Sequence, residues 1–312
     1  MVENKHQWKA WLYLSPAIVL LLIFTVWPII NTLIMAFRED YSALAAVGGA
    51  QYTFSFKNFE KVIDYPDFLT CLQNTILLCV LTVPLSTILA LLISVCLNAI
   101  KPFQKLLQTI YFLPYVTNSI AIGMVFAAMF NVIGNTTSAT PIIDNWGIVN
   151  QCIQFLGGDG IHWIDGASDY WANITVMVIY IVWNALPFKI LILLGGLQSV
   201  NKQYYDAAKI DSTPKWRVLT KITVPLLSPM IAYVVITGFI GGFKEYSSIV
   251  GIFGEKMGPA GDAYRLDTMV GFIYRSIKDN QGLAAAASLI LFGIIFVVTM
   301  INLYVSKKKT HF

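Results

Sequence analysis

Long apolar runs, each near the twenty residues a helix needs to cross a bilayer, recur along this 312-residue chain. Inside a bilayer no water satisfies a peptide N–H or C=O, so a lipid-crossing segment closes its backbone hydrogen bonds within itself, as an α-helix does. The runs predict spans at about residues 11–37, 72–97, 106–132, 171–197, 222–253 and 283–304. Charged residues make up 12% of the chain, half of the roughly 25% usual in a soluble domain, and mean hydropathy is +0.67. The expectation is an all-α, polytopic membrane protein forming a single domain over residues 1–312. The basic stretch before the first run resembles the start of a signal peptide, but the run is longer than a signal core and is read as a retained span.

Lysine and arginine set the expected orientation. They occur at Lys5 and Lys9, at Lys101 and Lys105, in the island Lys202, Lys209, Lys215, Arg217 and Lys221, and at Lys307–Lys309. The connection from Ile133 to Tyr170 has neither; it carries Asp144, Asp159, Asp165 and Asp169. Positive residues stay inside, which puts both termini and the island in the cytoplasm. The connections 38–70, 133–170 and 254–282 then face outward.

Enzymatic chemistry finds no foothold. The histidines, His6, His162 and His311, all lie outside the spans. The four cysteines, Cys71, Cys79, Cys96 and Cys152, form no metal or disulfide motif, and the three in or beside the second run read as small hydrophobes. There is no Gly-Lys dipeptide, so the phosphate-cradling loop of an ATPase is absent. Packing devices are easier to find. Gly238 and Gly242 have the G-x-x-x-G spacing, and Ala284–Ala287 is a run of small residues; both let helices approach closely. Gly195-Gly196 is a candidate bend, and Trp8, Trp11, Trp163 and Trp171 are candidate interfacial anchors.

The basic island, residues 200–221, is the largest internal cytoplasmic connection. "YYDAAKI" is a good helix segment with a small-residue face at Ala207 and Ala208. Ser212 or Thr213 offers an N-cap for a second short helix, with Pro214 at or near its first position. The segment "YDAAKIDSTPKWRVLTKITVPLLSP" resembles the EAA loop of ATP-binding-cassette importer permeases, in the sugar (maltose-type) branch. The likeness continues through "YLSPAIVLLLIFTVWPII", "FLPYVTNSIAIGMVFAAMFN", "WGIVN", "WNALPFKILILLGGLQSV" and "GPAG" in family order. Asp206 stands where the family has glutamate, and Ser212 where it has glycine. If that position needs a positive φ, the serine is strained there; otherwise it caps.

The resemblance implies a type I importer fold and a set of partners. These are a second homologous permease, two cytoplasmic ATPase subunits, an extracytoplasmic binding protein and the lipid bilayer of the cell membrane; no nucleic acid is involved. It implies no cofactor in this chain, with ATP and Mg on the partner ATPase. Tyr205, Asp206, Ala207, Ala208, Ile210, Asp211, Ser212, Pro214 and Trp216 become candidates for the ATPase-coupling loop. Asn131, Asn184, Lys189, Phe239, Phe243, Lys244, Glu245 and Tyr246 become candidates for the pathway, with Lys189 a possible ion partner of Glu245. The implied cargo is a carbohydrate, foremost an oligosaccharide, with a sugar phosphate or related anionic polyol as the alternative. An ion-coupled secondary transporter would show inverted repeats and acidic residues in the spans, and an intramembrane enzyme a catalytic constellation; neither pattern stands out.

Overall fold

The structure is a computed structural model describing residues 7–49, 51–100, 104–131 and 147–309; Lys5, His6, Lys101, Asp144 and His311 lie outside these. Helices α1 (Gln7–Leu21) and α2 (Trp27–Ala36) are joined by a π-helical turn, Leu22–Val26, and form the first span. That turn has a local cause. Pro28 has no N–H to donate and its ring crowds the preceding turn, so the helix widens there and the Trp27 N–H reaches back to the Leu22 carbonyl. Short helices α3 (Ala43–Val47) and α4 (Lys57–Ile63) lead into α5 (Phe68–Ala99), the second span.

Next come α6 (Gln104–Val116) and α7 (Ser119–Phe130). The sequence reads residues 106–132 as one span, but the chain bends there by 97°. Pro114 weakens the last turn of α6, and Asn118 caps α7 with its side-chain oxygen accepting from the Ile120 and Ala121 N–H groups. After α8 (Ile148–Phe155), the 30-residue α9 (Tyr170–Ser199) is unbroken. Gly195 and Gly196 are therefore no bend; Gly196 instead admits Leu227 and Met230, whose side-chain carbons lie 2.9 Å from where its Cβ would be.

The island folds as α10 (Lys202–Ile210) and α11 (Lys215–Val218), followed by a π-helical turn (Leu219–Thr223), α12 (Val224–Leu226) and α13 (Ser228–Gly242). The expected fifth span, 222–253, is corrected at both ends: helix begins at Lys215, bends by 72° between Leu226 and Ser228, and stops at Gly242. Pro225 repeats the device of Pro28, with the Val224 N–H bonding to the Leu219 carbonyl one residue before the proline. Helices α14 (Ser247–Phe253), α15 (Met269–Asp279) and α16 (Gln281–Lys309) complete the chain. Among the described residues, four helices are long and apolar enough to cross a membrane, and up to six spans result if each bent pair counts as one. Among the described residues there is no strand, only an isolated bridge between Arg38 and Phe54.

The chain groups into two compact units. The first, Met1–Phe68 with Phe272–Phe292, is organised by buried Asn58, which donates to the Ala36 and Arg38 carbonyls. Asp40, at φ +50°, accepts from Lys61 and from Asn280. The Lys61 hydrogen bond, with help from Asn280, holds the Asp40 carboxyl below its usual range. Ala284–Ala287 are all buried.

The second unit, Leu69–Gly271 with Gly293–Phe312, is built around α9. Met177 and Tyr180 of α9 pack with Phe130 of α7 and with Ile249 and Ile252 of α14. Leu193, Leu194 and Leu197 form a second cluster with Ala90, Leu227 and Val234. In lipid, such packing rests on close approach more than on water exclusion. Gly238 and Gly242 supply it at α5: a Cβ on Gly238 would stand 3.1 Å from Val83, and one on Gly242 2.8 Å from the Cys79 sulfur. Trp163 is half-buried: its indole N–H donates to Asn150 and its ring meets Phe130 edge-on. Trp8, Trp11 and Trp171 are exposed.

Candidate functional site

Two places in the second unit gather the residues singled out by sequence. The first is a cavity of about 260 Å³ among α5, α6, α9 and α13. Three of the eight pathway candidates line it: Asn184, Lys189 and Glu245. The 97° break places Tyr115 in the wall, where its ring stacks on Phe188 at 5.8 Å between centroids. Thr82, Ser86 and Thr237 add hydroxyls. An aromatic plate beside hydroxyl, amide and carboxylate groups suits a polyhydroxylated solute, which stacks its C–H face and hydrogen-bonds its rim.

Lys189 is 4% exposed and fully engaged. Its ammonium donates to Ser86 Oγ at 2.7 Å, Thr87 Oγ1 at 2.9 Å and the Val83 carbonyl at 3.2 Å, all on α5. That corrects the expected pairing with Glu245, whose carboxylate instead accepts from the Ser248 N–H at 3.2 Å. A buried charge needs partners, and Lys189 finds three neutral oxygens on a neighbouring helix, so it pins α9 to α5 beside Gly238. The other candidates are not among the residues that line this cavity. Phe243 is buried, Lys244 is exposed, Phe239 and Tyr246 are half-buried, and Asn131 is the exposed C-cap of α7, its carbonyl accepting from Gly147. Tyr115, Phe188, Ser86 and Thr237 escaped the sequence reading; the Pro114-Tyr115 pair inside an apolar run was the available signal.

The second place is the island. Asn201 caps α10 by accepting from the Gln203 N–H. At its other end the Ser212 N–H bonds to the Lys209 carbonyl and the Thr213 N–H to the Ala208 carbonyl, both bonds of a Schellman motif. Ser212 has φ +51°, the left-handed value that favours glycine at this position. Neither Ser212 nor Thr213 caps α11: Pro214 is its N-cap residue and no side chain bonds there. The two alanines divide. Ala208 is buried against the body of the chain and shares a cavity wall with Val95 and Leu197. Ala207 faces out. On the same island Ile210 is 85% and Trp216 71% exposed, and Asp206 pairs with Lys209. Tyr205 is half-buried near Thr223, and Asp211 and Pro214 are exposed.

Membrane-length helices, some of them broken, around a cavity with hydroxyl, amide and carboxylate groups in its wall, and a basic two-helix projection, fit a membrane transport component. Among the described residues no group of three or more histidine, cysteine, aspartate or glutamate side chains is placed to hold a metal. Comparison with known families agrees: residues 82–311 match the binding-protein-dependent transport system inner membrane component, and the chain belongs to that family. Its relatives include the lactose transport system permease protein LacF of Rhizobium radiobacter, 26% identical over 99% of this chain and 97% of that protein. The arabinooligosaccharides transport system permease protein AraP of Halalkalibacterium halodurans is 29% identical over 97% of this chain and 89% of that one. The crystal structure of a bacterial alginate ABC transporter, in complex with alginate pentasaccharide-bound periplasmic protein, contains a chain of the same fold. Its TM-score is 0.77 at 21% identity, covering 98% of this chain and 96% of that one.

Proposed function

We propose that this chain is the membrane-spanning subunit of an ATP-driven importer, translocating a carbohydrate, foremost an oligosaccharide, handed over by an extracytoplasmic binding protein. A second homologous permease completes the pathway, and two cytoplasmic ATPase subunits seat the island; ATP and Mg bind there and not on this chain. The observation that carries the reading is the island's outer face. Ala207, Ile210 and Trp216 present apolar surface to water on a segment held rigid by a cap and a Schellman motif. Exposed apolar side chains set among charges on a capped two-helix projection suit a part that docks. Positive charge on the island and at Lys307 supports a cytoplasmic position for this face and for both termini.

The cargo class is supported by the Tyr115–Phe188 plate with Asn184, Thr237 and Glu245, and by the sugars in the relatives' names. An anionic cargo fits this cavity less well. Lys189 is the cation among its lining residues, and its three N–H groups are committed to α5. The test is uptake of labelled oligosaccharide into vesicles holding the assembled complex. Uptake should need ATP on the ATPase side and binding protein on the other. Uptake driven by an ion gradient without ATP would overturn the reading.

A further inference from the structure

A groove of about 320 Å³ lies between α12–α13 and the last turns of α16. Val224, Ile231, Val235 and Val305 make it apolar, and Ser228 and Asn302 add polar atoms. Each stretch of chain that forms it runs into a lysine. Lys221 precedes Val224 by three residues, Lys307 follows Ser306 directly, and both lysines are exposed. Two further lysines, 308 and 309, extend the charge in sequence. Neighbouring side chains are neutral: the groove's lining carries no acid.

We infer that this groove holds one anionic phospholipid, an acyl chain lying along the valines and the phosphate at Lys221 and Lys307. Three observations carry the assignment. The first is shape: the groove is largely apolar and lies on helices long and apolar enough to cross a membrane, α12 and α13 as one bent pair. Charge is the second, because an exposed lysine follows or precedes the groove's lining on each stretch of chain, and basic residues near a membrane surface attract anionic lipid. The third is location. The groove begins at the 72° bend between Leu226 and Ser228, where the coupling segment enters the membrane. A lipid seated there braces the joint through which the island's movement passes. The leaflet, though not the binding, rests on the topology proposed above.

The experiment is native mass spectrometry of the assembled complex from nanodiscs of equal phosphatidylglycerol and phosphatidylcholine. Wild type should retain one phosphatidylglycerol in preference to phosphatidylcholine. Lys221→Gln with Lys307→Gln should lower that retention about tenfold; these are surface positions, so folding is spared. Val235→Trp fills the groove while leaving both lysines, and should also expel the lipid. Equal retention of the zwitterionic lipid overturns the inference. So does unchanged retention in Val235→Trp, which would mean plain surface charge. A cysteine at Asn302 that cross-links to the second permease in high yield would equally overturn it, by giving the groove a protein occupant. A reversed topology would move the lipid to the other leaflet without changing any of these results.

Discussion

Gly123→Ala should be among the most damaging single-methyl changes in the second unit. A Cβ at Gly123 would stand 2.7 Å from Gly251 Cα and 2.9 Å from its carbonyl carbon. Carbon atoms rest about 3.5–4.0 Å apart, so α7 and α14 must separate by roughly 1 Å. The obstacle is backbone, and no rotamer change relieves it. Overpacking of this kind costs about 1–3 kcal/mol. The methyl also raises helix propensity by about 1 kcal/mol, which offsets part of the loss. Gly195→Ala isolates the steric part, because nothing lies within 4 Å of its Cβ position. Folding equilibria of the two variants, measured in the same detergent by denaturant titration, should differ by about 1–3 kcal/mol, a factor of roughly 5–150. Equal stability would refute the close-approach argument for α7 and α14.

Three further outcomes are expected. Ser212→Gly should slow hydrogen exchange at the Thr213 amide, because left-handed strain of about 1 kcal/mol is relieved, and Ser212→Val should speed it; no change in either would mean the Schellman bend is unstrained. Tyr115→Ala and Glu245→Gln should each cut carbohydrate uptake about tenfold or more while leaving assembly intact, whereas Lys244→Ala, outside the cavity, should transport normally; normal uptake in the first two removes the cavity from the pathway. With Cys152 replaced, cysteines at Asp159 and Gly261 should react with an impermeant thiol reagent in intact cells, and labelling only after lysis would reverse the topology.

The spans were legible because lipid solvent leaves a composition signal that needs no tertiary information. The island was legible because five basic residues interrupt that signal. The bends were not. Seven prolines sit in or beside spans, yet Pro84 and Pro187 lie inside unbroken helices, while the break after Pro114 depends on Asn118 capping the next helix. Lys189 and Glu245 seemed natural partners by charge alone. Helix rotation decides otherwise, turning Lys189 onto the oxygens of α5. Gly123 and Gly251 lack any spacing motif, since the contact is one glycine from each of two distant helices. Ala207 and Ala208 look alike in sequence, but they lie about 100° apart around α10, and the body of the chain covers Ala208 and leaves Ala207 exposed.

That division gives the most direct test of the coupling role. Ala207 is exposed and clear of the chain's own core, so Ala207→Trp adds bulk to the docking face without disturbing the fold. The measurement is ATP-dependent, binding-protein-dependent uptake by the reconstituted complex carrying this variant, with its thermal stability checked against wild type. A docking face predicts uptake at background with stability unchanged. Uptake at the wild-type rate would contradict it.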